Sequence, residues 1–322
     1  MAGTTCIQDA RVETIKGRTT KFRILQQRLM DCAFEDFLPG AATDPDRTRP
    51  FLEYRDQAIA NLIAAGKILF GSQFELTSQQ KGKVDGDIFE ILEAAALWNA
   101  MAAWNAYMDT GVWNSEIFEC PPGAVATPTR KVAVVKLPRG YNATGLFNHA
   151  TLRDYEAFES ALCTHGMELK LSSPDIVGIR VPHPRPAGYE TFLHPLANLK
   201  NENRQLLEAA YSKIEGTLDA RSFLFAIAVK TSTRSDRLYQ PLFEANVLKF
   251  IIGFVLRGGA FKFHVHMESM EGANVEGRYK AASLTALMLG GAPTRAIDVV
   301  YNALTPIATA QSVLNDLPTF PL

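Results

Sequence analysis

Apolar positions along this chain switch between two periods. Ile88, Ile91, Leu92, Ala95, Trp98, Met101 and Trp104 recur at the spacing that buries one helix face, predicting a helix over 87–108 with Gly111 as its stop. Segments 21–34 and 52–69 show the same period on either side of a polar, proline-rich loop at 40–50. Further helices are expected at 151–165, 198–216 and 242–255, with loops at 119–129 and 182–195. Short apolar runs rich in β-branched residues have a different look. VAVVKL (132–137), DIVGIRV (175–181), FLFAIAVK (223–230) and residues 260–267 read as strands. Strands alternating with helices predict an α/β fold, a mixed central β-sheet flanked by helices. No compositional shift divides the chain, so 1–322 reads as a single domain with irregular additions at both ends.

Composition changes this picture little. With 47% hydrophobic and 21% charged residues the chain is an ordinary globular one. Its 33 Lys+Arg against 34 Asp+Glu give a net charge of −1. That excludes coating nucleic acid by bulk charge but leaves room for one basic face. Cys6, Cys32, Cys120 and Cys163 are scattered and form no CxxC, which argues against a disulfide framework or a zinc site. The start, MAGTTCIQDARVETIKGR, lacks the apolar run of a signal peptide, and 247–256 is too short to span a membrane. The expectation is a reduced, cytoplasmic compartment and no membrane partner.

Candidate chemistry sits at two strand ends. Asp175 opens one strand after Pro174, and Lys230 closes another whose body is wholly apolar. Phosphodiester hydrolysis needs a divalent cation held by carboxylates, and magnesium accepts oxygen ligands while keeping waters. A neighbouring lysine can stabilise charge on the phosphate or orient the attacking water. Taken alone the pair carries little weight, because Pro-Asp turns are common and a lysine at a strand end is by default solvated. Residues 230–244 read KTSTRSDRLYQPLFE. A PD-(D/E)xK nuclease core has an acid two residues before its lysine, where Ala228 stands here; Glu244, on the next helix, could return to that space.

The segments GDIFE (86–90), the two WN pairs within 98–105, VAV and LPR within 132–139, SSPD (172–175) and RSDRLYQPLFEANV (234–247), together with CIQDAR near the N-terminus, carry a specific likeness. The chain resembles the SgrAI-like type II restriction endonucleases, the group with NgoMIV that cuts at sites containing CCGG. The matching blocks run from residue 6 to about 285, and the pattern departs from the family around 11–17. The resemblance implies the PD-(D/E)xK restriction-endonuclease fold and site-specific, Mg2+-dependent cutting of double-stranded DNA, with Mn2+ able to substitute. It implies a palindromic site with a CCGG core and four-base 5′ overhangs. Asp175 would be the central metal ligand, Lys230 the catalytic lysine, Glu244 the displaced acid and Glu90 a further metal carboxylate. Arg234, Asp236 and Arg237 would read the CCGG core in the major groove. Arginine forks donate to guanine and aspartate accepts from the cytosine amino group, which suits a G·C target. Arg18 would touch an outer base pair and Lys83 would lie near the minor groove, with an N-terminal arm (about 1–50) adding DNA contacts. A homodimer in a prokaryotic cytoplasm is implied, with tetramers or larger assemblies on DNA in some members.

Plainer readings stand beside these. Glu90 is also an ordinary acid near a helix N-terminus, with Glu93 one turn later as a fallback. The RSDR segment is also a salt-bridged surface turn, and Lys83 a solvated charge. Glu168-Leu169-Lys170 imitates the ExK string but precedes the Pro-Asp, so it reads as a charged helix-to-loop segment. His264 and His266 alternate on a strand and put both rings on one face; with no third ligand in view they read as a satisfied strand face. Lys131, Arg139 and Arg185 are solvated by default. Two other functions are weighed, a structure-specific repair nuclease of the same fold and a catalytically silent DNA-binding protein. The intact Arg234/Asp236/Arg237 segment speaks against the first. The presence of Glu90, Asp175, Lys230 and Glu244 speaks against the second.

Overall fold

Strand order in space repeats strand order in the chain. The computed structural model describes residues 30, 32–34, 46–169, 173–233, 235–259, 261–271, 274–288 and 294–320. Among them a five-stranded sheet runs β1 (Val132–Lys136), β2 (Ile176–Arg180), β3 (Phe223–Lys230), β4 (Lys262–Met267) and β5 (Val299–Asn302). The first three strands are antiparallel neighbours, and β3, β4 and β5 run parallel. The expected mixed α/β sheet is therefore present, as are all four expected strands. β5 was not expected: it is four residues long and only half-buried, too short to show a period.

Antiparallel pairing of β2 with β3 sets the start of one beside the end of the other. Every residue of β3 is buried, as its unbroken apolar run requires. At the centre of β2, Gly178 lies opposite Phe225. A Cβ at 178 would fall 2.1 Å from the Phe225 ring, so only glycine lets the two strands close.

The helices are α1 (Phe51–Phe70), α2 (Ser78–Thr110), α3 (His149–Cys163), α4 (Asn201–Ala209), α5 (Ser235–Lys249), α6 (Val275–Tyr279), α7 (Leu284–Met288) and α8 (Pro306–Asp316). α2 begins well before the expected 87. Its first turns hold two glycines and little apolar content, so periodicity is silent there, and the start is set by a capping box between Thr77 and Gln80. α2 packs on β1 and α8. Its two Trp-Asn pairs fasten neighbouring backbone: Asn105 exchanges hydrogen bonds with both backbone groups of Val132 at 2.8 and 2.9 Å, and Asn99 does the same with Leu196 at 3.1 and 2.8 Å. Trp98 and Trp104 donate to the carbonyls of His194 and Arg130.

α5 starts at Ser235 rather than 242, because it accommodates Pro241 in its interior, and it continues as a π-helical stretch over Phe250–Val255. The expected helix over 198–216 is shorter, α4 followed by the tighter turn Ala210–Lys213. Of the expected helix at 21–34, only Met30 and residues 32–34 are described; they are buried. Cys32 is disulfide-bonded while Cys120 and Cys163 are free. No described helix is long and apolar enough to cross a membrane.

Candidate active site

A cleft of about 1230 Å³ opens where β2 begins and β3 ends. Asp175 directly precedes β2 and its backbone is fastened on both sides. Its amide donates to the Ile227 carbonyl at 3.1 Å, and its carbonyl accepts from the Leu137 amide at 2.9 Å. The side chain turns along β3, where Oδ2 accepts from the Val229 amide at 2.7 Å and lies 3.3 Å from Lys230 Nζ. Lys230 is only 8% exposed. A buried ammonium needs a paired charge, and Asp175 supplies it. The lysine is not a solvated strand end.

Glu90 reaches the same cleft from α2. Lys136 Nζ, at the end of β1, stands 3.4 Å from its Oε2, and Arg139 Nη2 stands 4.0 Å from its Oε1. Burial pushes the Glu90 carboxyl up to about 7, the like charge of Asp175 adds to the rise, and Lys136 opposes it. Arg139 also bonds Asp87 Oδ1 at 3.2 Å. Two carboxylates, Glu90 and Asp175, therefore sit together at the mouth of the sheet, each with its own lysine, Lys136 and Lys230.

Arg237, Gln240 and Glu244 are spaced to share one face of α5. Arg237 and Gln240 line the cleft, as does Lys83. Glu244 is 1% exposed and is not part of the lining; its Oε1 accepts from Gln240 Nε2 at 2.8 Å. Of the remaining expected contacts, Arg18 and Arg234 lie outside the described residues. For Asp236 only the backbone, in the first turn of α5, is described.

Several lining groups escaped the sequence reading. Arg55 bonds Glu268 at 2.5 Å, and the Glu268 amide donates to the Lys230 carbonyl at 3.0 Å. Burial pushes the carboxyls of Asp85 and Glu268 up. None of these three lies in a motif. Lys136 did carry a signal, since it closes an apolar strand just as Lys230 does. Glu93, the fallback for Glu90, points the other way. It is fully buried and its Oε1 meets His266 Nδ1 at 2.5 Å. His264 is buried beside it, 3.7 Å from Asp316, and burial holds its imidazole well below the usual range. Both histidine Nε2 atoms lack a hydrogen-bond partner among the described residues, so the strand face is only partly satisfied. Lys131 pairs with Asp109 and Arg185 with Glu190, while Glu168 and Leu169 border the cleft.

Residues 47–317 match the model of the Cfr10I/Bse634I restriction endonuclease family. The chain belongs to that family. It is a type II restriction endonuclease, a DNA-hydrolysing enzyme, and the expected kinship is met at that level, with Cfr10I/Bse634I as the family that matches. A solved structure described as Bse634I restriction endonuclease aligns with a TM-score of 0.70 at 18% identity over 91% of both chains. A second, described as type IIF restriction endonuclease Bse634I with cognate DNA, gives 0.67 at 17% over the same shares. At such identity the likeness is one of fold. No curated protein matches the chain.

The donors that a Cfr10I/Bse634I-type site offers here are suited to a hard cation. Glu90 and Asp175 present oxygen only, and the repulsion between them is what a cation would relieve. Among the described residues, no group of three or more His, Cys, Asp or Glu side chains is placed to hold a metal ion. Magnesium does not require such a group, because it is commonly held by one or two carboxylates together with waters and phosphate oxygens.

Proposed function

We propose that this chain cuts double-stranded DNA at a palindromic site with a CCGG core, in a magnesium-dependent reaction that leaves four-base 5′ overhangs. The observation that carries the proposal is the meeting of Glu90, Asp175 and Lys230 around one cleft whose wall also holds Arg237. Glu90 and Asp175 would hold the metal, with Glu244 as the further acid, bonded to Gln240 of the cleft wall. Bound magnesium would supply an activated water and stabilise the leaving oxygen. Lys230 directs its ammonium at the scissile phosphate, with Asp175 fixing where it points. Manganese, sharing the oxygen donors, substitutes for magnesium.

Arg237 sits at the N-terminal end of α5, exposed to the cleft, where its guanidinium can fork onto guanine. In this reading Arg234 and Asp236 complete the reader, Lys83 lies against the minor groove, and Arg18, on an arm of about 1–50 within one domain, touches an outer base pair. A palindromic site matches two-fold protein symmetry, so the working unit is a homodimer, open to further assembly on DNA. Each subunit cuts one strand.

The test is cleavage of plasmid DNA with magnesium, followed by sequencing of the fragment ends. Discrete fragments whose ends share a CCGG core are expected. Discrete fragments without that core overturn the reading of Arg234, Asp236 and Arg237. Nicks set by DNA structure point to a repair nuclease, and tight binding without cutting points to a silent DNA-binding protein; either outcome removes the proposal.

A further inference from the structure

We propose that Gln240 is the positioning residue for Glu244, the side chain through which a carboxylate buried outside the cleft is brought into register with it. The inference rests on the reading of Glu244 as an acid of the metal site. Three observations place Gln240 there. It lines the cleft while Glu244 does not. Its Nε2 donates to Glu244 Oε1 at 2.8 Å, with the two residues four apart on α5. And Arg237, one turn before Gln240 on the same helix, lines the cleft as well.

The chemistry of the two groups fixes the direction of the bond. An ionised carboxylate only accepts, so the amide must present its NH2. A glutamate has three side-chain torsions and, once buried, needs a donor to choose among its orientations. Gln240 provides that donor from the cleft side. The imidazole or ammonium that would do the same job by charge would also compete with a metal for the carboxylate; a neutral amide orients Glu244 and leaves its charge in place. Outer-shell partners of this kind usually matter tenfold to hundredfold in metal affinity or activity.

An alternative use of Gln240 is direct contact with DNA, since a glutamine amide can pair with adenine. The test separates the two. Gln240→Met keeps length and removes the donor; Gln240→Glu sets a second carboxylate against Glu244. Each is compared in the full-length protein with the parent and with Glu244→Gln, on a duplex carrying the site mapped from plasmid ends. Measured are the single-turnover cleavage rate with enzyme in excess, the magnesium concentration for half the maximal rate, the Kd for the duplex without divalent metal, and the Tm.

Positioning predicts that Gln240→Met loses about tenfold to hundredfold in rate or in magnesium requirement, that Gln240→Glu loses more, and that Kd and Tm stay near the parent values. Gln240→Met cutting at the parent rate and magnesium requirement overturns the inference. So does a loss of DNA affinity that accounts for the loss of cutting, and so does a fall in Tm that does. If Glu244→Gln itself cuts like the parent, the underlying reading of Glu244 has failed, whatever Gln240 does. If Glu244→Gln is inactive and Gln240→Met is not, only the positioning role has failed.

Discussion

Lys230 and the Val229 amide meet on a single oxygen of Asp175, at 3.3 and 2.7 Å. The orientation of that carboxylate is thus set by the main chain of β3 as well as by the lysine. Replacing Asp175 by Asn keeps the shape and removes the charge. Asp175→Asn and Lys230→Met are each expected to bind the DNA site with affinity near the parent's and to lose about 10²–10³-fold or more in single-turnover cleavage. Cutting at the parent rate by either variant takes that residue out of the mechanism.

Glu90 gives a pH signature in the metal-free protein. Its carboxyl is pushed up to about 7 from an ordinary 4.5, so the folded chain holds this proton more tightly than the unfolded one. The stability that follows is complete below pH 4.5 and is lost as pH rises through 7. Glu90→Gln escapes the loss. In urea unfolding without metal the variant is expected to exceed the parent at pH 8, by at most about 3 kcal/mol, and to match it near pH 4.5. Magnesium at pH 8 narrows the gap by stabilising the parent. A gap that does not change with pH would show that Glu90 is not held as described.

Arg237 and Lys83 share the cleft but are expected to fail differently. Losing a base-reading fork costs about 1–3 kcal/mol and relaxes discrimination at one base pair, whereas losing a phosphate contact weakens all sequences alike and lowers the salt slope by about one. Binding titrations of Arg237→Ala and Lys83→Ala, on the site and on single-base variants at several salt concentrations, check both. Equal loss on every sequence for Arg237→Ala would make it a backbone contact.

Glu93 and His266 form a charge-capable pair with no exposure to speak of. Removing one partner of such a pair usually costs about 3–5 kcal/mol. Glu93→Ala is expected to lower the unfolding free energy by that amount while leaving the cleavage rate per folded molecule unchanged. A slow but stable variant would place Glu93 in the chemistry after all.

Legibility followed the physics of each element. β3 and its lysine were plain because a strand buried on both faces leaves an unbroken apolar run, and a charge at its end stands out. β5 was hidden because four half-buried residues carry no period. The start of α2 was hidden because a capping box holds it where apolar spacing is absent. In the candidate site, Asp175 and Lys230 were legible as strand ends, and the likeness to restriction enzymes then pointed to Glu90, beside which the fold places the charges of Lys136 and Asp175. Arg55, Asp85 and Glu268 could not be found that way, since they converge from separate elements and only the folded chain makes them neighbours. Gln240 lay inside the most telling segment and passed unnoticed, because an amide gives no charge pattern to read.

Pro241 gives α5 an uneven stiffness. Proline has no amide hydrogen, so the helical bond that would close on the Arg237 carbonyl is not made. The turn bearing Asp236 and Arg237 is thus tied to the rest of the helix by one strut fewer. If Arg237 reads a base pair as proposed, a small tilt of that turn would meet least resistance there. The Gln240–Glu244 bond joins 240 to 244 and does not span the missing link from 237 to 241, which leaves the looseness with the turn that bears Arg237.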